Sequence, residues 1–224
     1  MAVHTRTRAA VADSGGDGPK SYAKPLILLA SLFFMWGFIT VINNTLLPHL
    51  RSVFDLNYTQ TTLIESTWFV GYFVASLPAA FLIERIGYQR AMVIGLIIMT
   101  AGSLGMIPAA QLPSYEVTLA SLFTVSCGIA VLQVAANPYV AVIGPEKSAE
   151  SRLTLVQAFN TTGDALAIVF GKYLILDRTA GGSTVEGVKL TVAQRMADAQ
   201  ATQLPYLIVA GVLAVLAVMI ARAK

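Results

Sequence analysis

SCGIAVLQVAANPYVAVIG, residues 126–144, is a long apolar run with two carboxamides and a proline near its centre. Gln133 and Asn137 stand four apart, so on a helix both amides emerge on one face. Pro138 removes a backbone hydrogen bond, and in lipid the freed carbonyl has to be satisfied by a neighbouring helix or by water. Polar side chains at mid-bilayer depth are costly enough that their default reading is a substrate or ion path. For a single buried amide the alternative is interhelical glue, worth about 0.6 kcal/mol. The surrounding chain has to decide between the two.

That chain is 56% hydrophobic and 12% charged over 224 residues, where a soluble domain carries about 25% charged residues. Its mean hydropathy is +0.69. The composition specifies an all-α, polytopic membrane protein that spans the lipid bilayer. Six segments approach the ~20 apolar residues that a bilayer core about 30 Å thick requires: 26–47, 63–83, 91–110, 117–143, 153–176 and 204–220. The first four connections are short, which makes consecutive helices antiparallel. The fifth, 177–203, is longer, with a turn at Gly181 and room for a surface helix over 192–202. Residues 1–24 are polar, lack the apolar stretch of a cleaved signal, and read as a disordered cytoplasmic tail. Residues 25–224 then form one six-helix transmembrane half-domain.

Lysine and arginine set the orientation. With a cytoplasmic N-terminus, that side holds Arg6, Arg8, Lys20, Lys24, Arg85, Arg90, Lys147, Arg152, Arg222 and Lys224, against Arg51, Lys172, Arg178, Lys189 and Arg195 outside. Both termini are therefore expected inside, in a plasma membrane, with the bacterial inner membrane as the expected location. The net charge of +3 is spread over short loops, so no nucleic-acid partner is implied. Cys127 is the single cysteine, and no disulfide framework exists.

Polar residues recur on one face of several segments. In the first, Trp36, Thr40 and Asn44 are spaced by four with Asn43 beside them, and the asparagines should point inward. In the second, a stripe runs from Glu65 through Trp68 to Tyr72. Glu65 lies near the outer end, where a snorkelling carboxylate is the simpler reading. In the fifth, Gln157, Asn160 and Asp164 gather on one side, and a mid-helix carboxylate must pair or take up a proton. The loop FLIERIGYQR places Glu84, Arg85 and Arg90 around Gly87, which reads as a solvated topology signal or as an ion-pair latch on one conformation of a moving bundle. For an enzyme the pattern offers nothing: no paired catalytic carboxylates, no metal-ligand spacing, no nucleophile beside a base and no phosphate-cradling glycine loop.

With these residues in view, the chain resembles the N-terminal half of a major facilitator superfamily sugar transporter, in the branch of the fucose/galactose/glucose permeases. The stretches FFMWGFITVINNTLLPHL, FLIERIGYQR, LQVAANPYVAVIGPE and SRLTLVQAFNTTG carry the resemblance, which covers residues 31–171. It implies a twelve-helix alternating-access transporter for a small neutral sugar, a hexose, with no cofactor beyond a co-transported proton or sodium ion. Matching positions put Asn43, Asn44, Gln133, Asn137, Gln157 and Asn160 in the sugar cavity. Trp36 or Tyr72 is available to cover an apolar sugar face. Carboxamides suit the task, because each offers donors and an acceptor to alternating hydroxyls.

Two departures accompany the resemblance. The family's fucose–proton symporters carry an aspartate where Asn44 stands and a glutamate where Gln133 stands. That leaves Asp164 or Glu65, another ion, or uncoupled passage as the alternatives for coupling, while Glu84, Arg85, Arg90 and Arg152 are the gating candidates. The chain also reaches Lys224 directly after its sixth segment, where the family continues into six more helices. The expectation is a truncated or split half that works with a second half, or a homodimer, since the two halves of these transporters share one orientation. A non-transporting bundle that retains the fold is the competing reading.

Overall fold

The computed structural model describes residues 22–54, 56–112, 114–174 and 202–223. Within them run six helices long and apolar enough to cross a membrane. They are α1 (Ala23–Phe54), α2 (Tyr58–Ile86), α3 (Tyr88–Gln111), α4 (Tyr115–Val142), α5 (Ala149–Leu174) and α6 (Gln203–Arg222), with a 3₁₀ turn at Glu146–Ser148. The chain is a multi-pass membrane protein. The tail expected over 1–24 falls outside the described residues as far as residue 21, and α1 already begins at Ala23. The loop helix expected over 192–202 lies outside them as well, apart from Thr202.

Most helices overrun their apolar segments, because hydropathy marks the hydrocarbon core while the helix continues through the interfacial layers. The largest difference is in α1, which was expected to stop at 47 and instead continues past Pro48 to Phe54. Polar residues finish the ends. Asn57 and Gln60 form a capping box on α2: Gln60 N donates to Asn57 Oδ1 at 2.8 Å and Asn57 N to Gln60 Oε1 at 3.0 Å. Gly87, at φ +81°, joins α2 to α3 in one residue, a backbone state that side-chain-bearing residues avoid.

Packing follows chain order for one principal pair, α3 with α4, and departs from it elsewhere. α1 and α2 barely touch, whereas α1 lies along α5, α2 along α4, and α3 between α4 and α6. Small residues explain the choice, since helices in lipid associate through close packing rather than through apolar transfer. A Cβ on Gly95 would stand 3.0 Å from Gly128 O, and one on Gly128 would stand 2.7 Å from Gly95 O, so α3 and α4 cross backbone to backbone. Gly37 and Gly163 do the same for α1 and α5: a Cβ on the first would strike Asn160 O, and one on the second Phe34 O. Gly71 of α2 has room only for Ser126 of α4. The core that results is apolar, with Phe33, Leu96, Met99, Ile129, Val156 and Leu213 buried together.

Apolar side chains stay exposed on several helices, among them Leu207, Ile208, Val215 and Val218 of α6. On α2, Phe69, Phe73, Leu77 and Phe81 are exposed, and on α5 Leu155, Phe159, Leu166 and Ile168 are.

Candidate functional site

Three helices bring polar side chains together at one point. Trp36 on α1, Tyr72 on α2 and Gln133 on α4 meet around the tyrosine hydroxyl, which accepts a hydrogen bond from Gln133 Nε2 at 3.2 Å with the Trp36 side chain beside it. The hydroxyl's own proton remains available to donate. Trp68 packs on the same tyrosine, with ring centroids 6.3 Å apart, and fixes its direction. Gln133 keeps Oε1 as a spare acceptor. One turn along α4, Asn137 Nδ2 donates to Gln133 O at 3.2 Å and leaves its own Oδ1 unengaged among the described residues. All of these side chains are partly exposed.

A second group lies beside the first on α1. Asn160 of α5 donates from Nδ2 to Phe33 O at 2.9 Å. Asp164, one turn on, holds its carboxylate against Gly37, where a Cβ would stand 2.6 Å from Oδ1. Gly37 follows Trp36 directly, so the α1 segment from Phe33 to Gly37 carries both groups. Asp164 is partly buried and has no ion-pair partner among the described residues.

The remaining expected residues fall elsewhere. Asn44, Glu65 and Gln157 are exposed. Asn43 is 9% exposed with both ends of its amide bonded: its Nδ2 donates to Ile39 O at 3.0 Å, and its Oδ1 accepts from the hydroxyl of Tyr206 on α6 at 2.5 Å. Glu84, Arg85 and Arg90 are exposed around the Gly87 turn. Arg152, expected at a gate, is 3% exposed and closes the C-terminal end of α4. Its guanidinium donates to Val140 O (3.1 Å), Ala141 O (2.8 Å), Pro145 O (2.9 Å) and Ser148 Oγ (2.6 Å), with the Tyr22 ring 5.7 Å away. Orphan carbonyls and the negative end of the helix dipole are a natural seat for that charge.

Tyr206 went unforeseen, because a tyrosine at the start of an apolar helix has the same appearance whether it meets lipid headgroups or a buried amide. Gln89 was missed too: its Nε2 donates to Ile220 O at 2.6 Å and Ala223 O at 2.5 Å, closing the end of α6. Among the described residues no group of three or more His, Cys, Asp or Glu side chains is placed to hold a metal ion.

A family model for the Major Facilitator Superfamily matches residues 27–223. A glucose/galactose transporter of Brucella abortus is 47% identical over 205 residues, which make up 92% of this chain and 47% of that protein. The L-fucose-proton symporter of Escherichia coli is 34% identical over 226 residues, 99% of this chain and 51% of the symporter. Among solved structures, a crystal structure of the Major Facilitator Superfamily transporter FucP in the outward conformation superimposes with a TM-score of 0.79 at 35% identity, covering 92% of this chain and 50% of that one. The chain thus spans about half the length of the relatives it matches.

Proposed function

Since the chain belongs to the Major Facilitator Superfamily, we propose that it forms one wall of a transport chamber for a neutral hexose, with the opposite wall supplied by a second six-helix unit. The observation that carries the reading is the convergence of Trp36, Tyr72 and Gln133 from three helices at a point that stays partly exposed. Glue would be saturated. Here the tyrosine proton, Gln133 Oε1, and the free oxygens of Asn137 and Asn160 remain for sugar hydroxyls, while the Trp36 and Trp68 rings offer apolar surface for a sugar face. Asn44 and Gln157 extend the same wall. Asn43, spent on Tyr206, holds α6 in place and has no role in binding.

The names of the relatives, a glucose/galactose transporter and a fucose-proton symporter, support a hexose as the cargo. That the chain spans about half the length of these relatives supports a second wall, either another six-helix unit or a second copy of this chain. For coupling we assign Asp164 rather than Glu65, because Asp164 is partly buried at the α1–α5 crossing whereas Glu65 is exposed. The turn at Glu84 and Arg85 serves as a latch on one conformation, and Arg152 as the clasp that keeps α4 and α5 moving together. Both termini lie on the cytoplasmic side of a bacterial inner membrane.

Hexose uptake tests the reading, in proteoliposomes holding this chain alone and in others holding it with a six-helix C-terminal half of a glucose/galactose transporter. Saturable sugar binding in both and uptake in the paired sample are the expected results, and absence of saturable binding from both refutes the chamber. Asp164→Asn in the paired sample should abolish the response of uptake to an imposed pH gradient. A response equal to that of the wild type would remove Asp164 from coupling.

A further inference from the structure

Where the first turns of α1 and α3 meet the last turns of α4 and α6, a pocket of about 50 Å³ opens between Leu28, Leu29, Met92 and Ile220, with Gln89 and Tyr139 as its polar members. Leu28 lies eight residues before Trp36, roughly two helical turns along α1, so the pocket is separate from the sugar-facing cluster. Gln89 spends its Nε2 on Ile220 O and Ala223 O, two carbonyls at the end of α6, and the rest of the lining is mostly apolar.

The border differs from the lining. Lys24 precedes Leu28 by four residues and so shares its face of α1. Arg90 directly follows Gln89 on α3, and Arg222 directly precedes Ala223, another lining residue, at the end of α6. All three cations are exposed, and none has an ion-pair or hydrogen-bond partner among the described residues. The acidic residues at this end, Glu84 on α2, Glu146 in the 3₁₀ turn and Glu150 on α5, do not line the pocket. An apolar slot at the helix ends of a membrane protein, bordered by unpaired cations on three converging elements, calls for a ligand that is aliphatic at one end and anionic at the other.

We propose that this pocket holds the upper part of one acyl chain of an anionic phospholipid, with Lys24, Arg90 and Arg222 reaching its phosphate. Long basic side chains have the length for this while their stems stay along apolar surface. Basic pockets between transmembrane helices bind anionic headgroups elsewhere by the same electrostatics.

The test uses the full chain in mild detergent, titrated separately with phosphatidylglycerol and with phosphatidylcholine of identical acyl chains. Native mass spectrometry reads the retained lipid. Retention of one phosphatidylglycerol per chain is expected at a concentration about tenfold or more below that needed for phosphatidylcholine. The triple variant Lys24→Gln, Arg90→Gln, Arg222→Gln, which alters only exposed side chains, should lose that preference with unchanged helical circular dichroism. Leu28→Trp, which fills the slot, should lower retention of both lipids. Equal retention of the two lipids by the wild type overturns the proposal, as does a preference that survives in the triple variant. Displacement of the lipid by soluble glycerol phosphate at equal concentration also overturns it, because the acyl chain would then contribute nothing.

Discussion

Asn43 and Asn44 are adjacent and chemically identical, yet the structure puts them to opposite uses. Asn43 joins the contact between α1 and α6, where its amide donates to Ile39 O and accepts from Tyr206 in a setting closed to solvent. Asn44, about 100° further around the helix, is exposed. The same division separates two regions of the molecule. At the contact with α6, Asn43 and Tyr206 bond each other; on α2, α4 and α5, Tyr72, Gln133, Asn137 and Asn160 keep donors or acceptors in reserve among the described residues. A polar group whose hydrogen bonds are complete contributes to the fold, and one left incomplete at an accessible point is available to a ligand.

Four substitutions would break or sharpen this division. The largest effect belongs to the crossing on which both groups rest. Gly163→Val forces a side chain into Phe34 O and should destabilise the bundle by about 3 kcal/mol, seen as a large drop in thermal midpoint in detergent and loss of sugar binding with it. Arg152→Gln should cost about 2 kcal/mol by freeing carbonyls at the end of α4. That loss should appear in the thermal midpoint, and a hexose dissociation constant measured below the midpoint should not change. Gln133→Ala reverses the pattern: with the thermal midpoint within error of the wild type, hexose affinity should weaken by about 1 kcal/mol, roughly fivefold, in isothermal titration with the paired half. The smallest effect is expected of Tyr206→Phe, which removes one interhelical hydrogen bond worth about 0.6 kcal/mol and should lower the midpoint slightly without touching sugar affinity. If Tyr206→Phe weakened sugar binding while Gln133→Ala weakened only stability, the two regions would have been assigned the wrong way round.

The α4 stretch that anchors the site was legible because bilayer physics makes buried polar residues rare. Gln133 and Asn137 in an apolar run could hardly be accidental, and the helix face they share follows from spacing alone. The asparagine pair was legible only as a pair. Both members carry the same chemical signal, and nothing local distinguishes the one that meets Tyr206, 163 residues away in the chain. Arg152 illustrates the reverse difficulty. An arginine beside a turn reads as a loop charge until the end of α4 is seen to lie within its reach.

Composition and spacing by themselves determined that this chain is a bundle of six spanning helices and which of them bear carboxamides, because an apolar run of about 20 residues in hydrocarbon satisfies its own backbone as a helix. Which helix lies against which was decided by tertiary structure: backbone approaches at Gly37, Gly95, Gly128 and Gly163 pair α1 with α5 and α3 with α4. Those pairings, through contacts of a few ångströms between residues far apart in the chain, determine which polar side chains are consumed and which remain open.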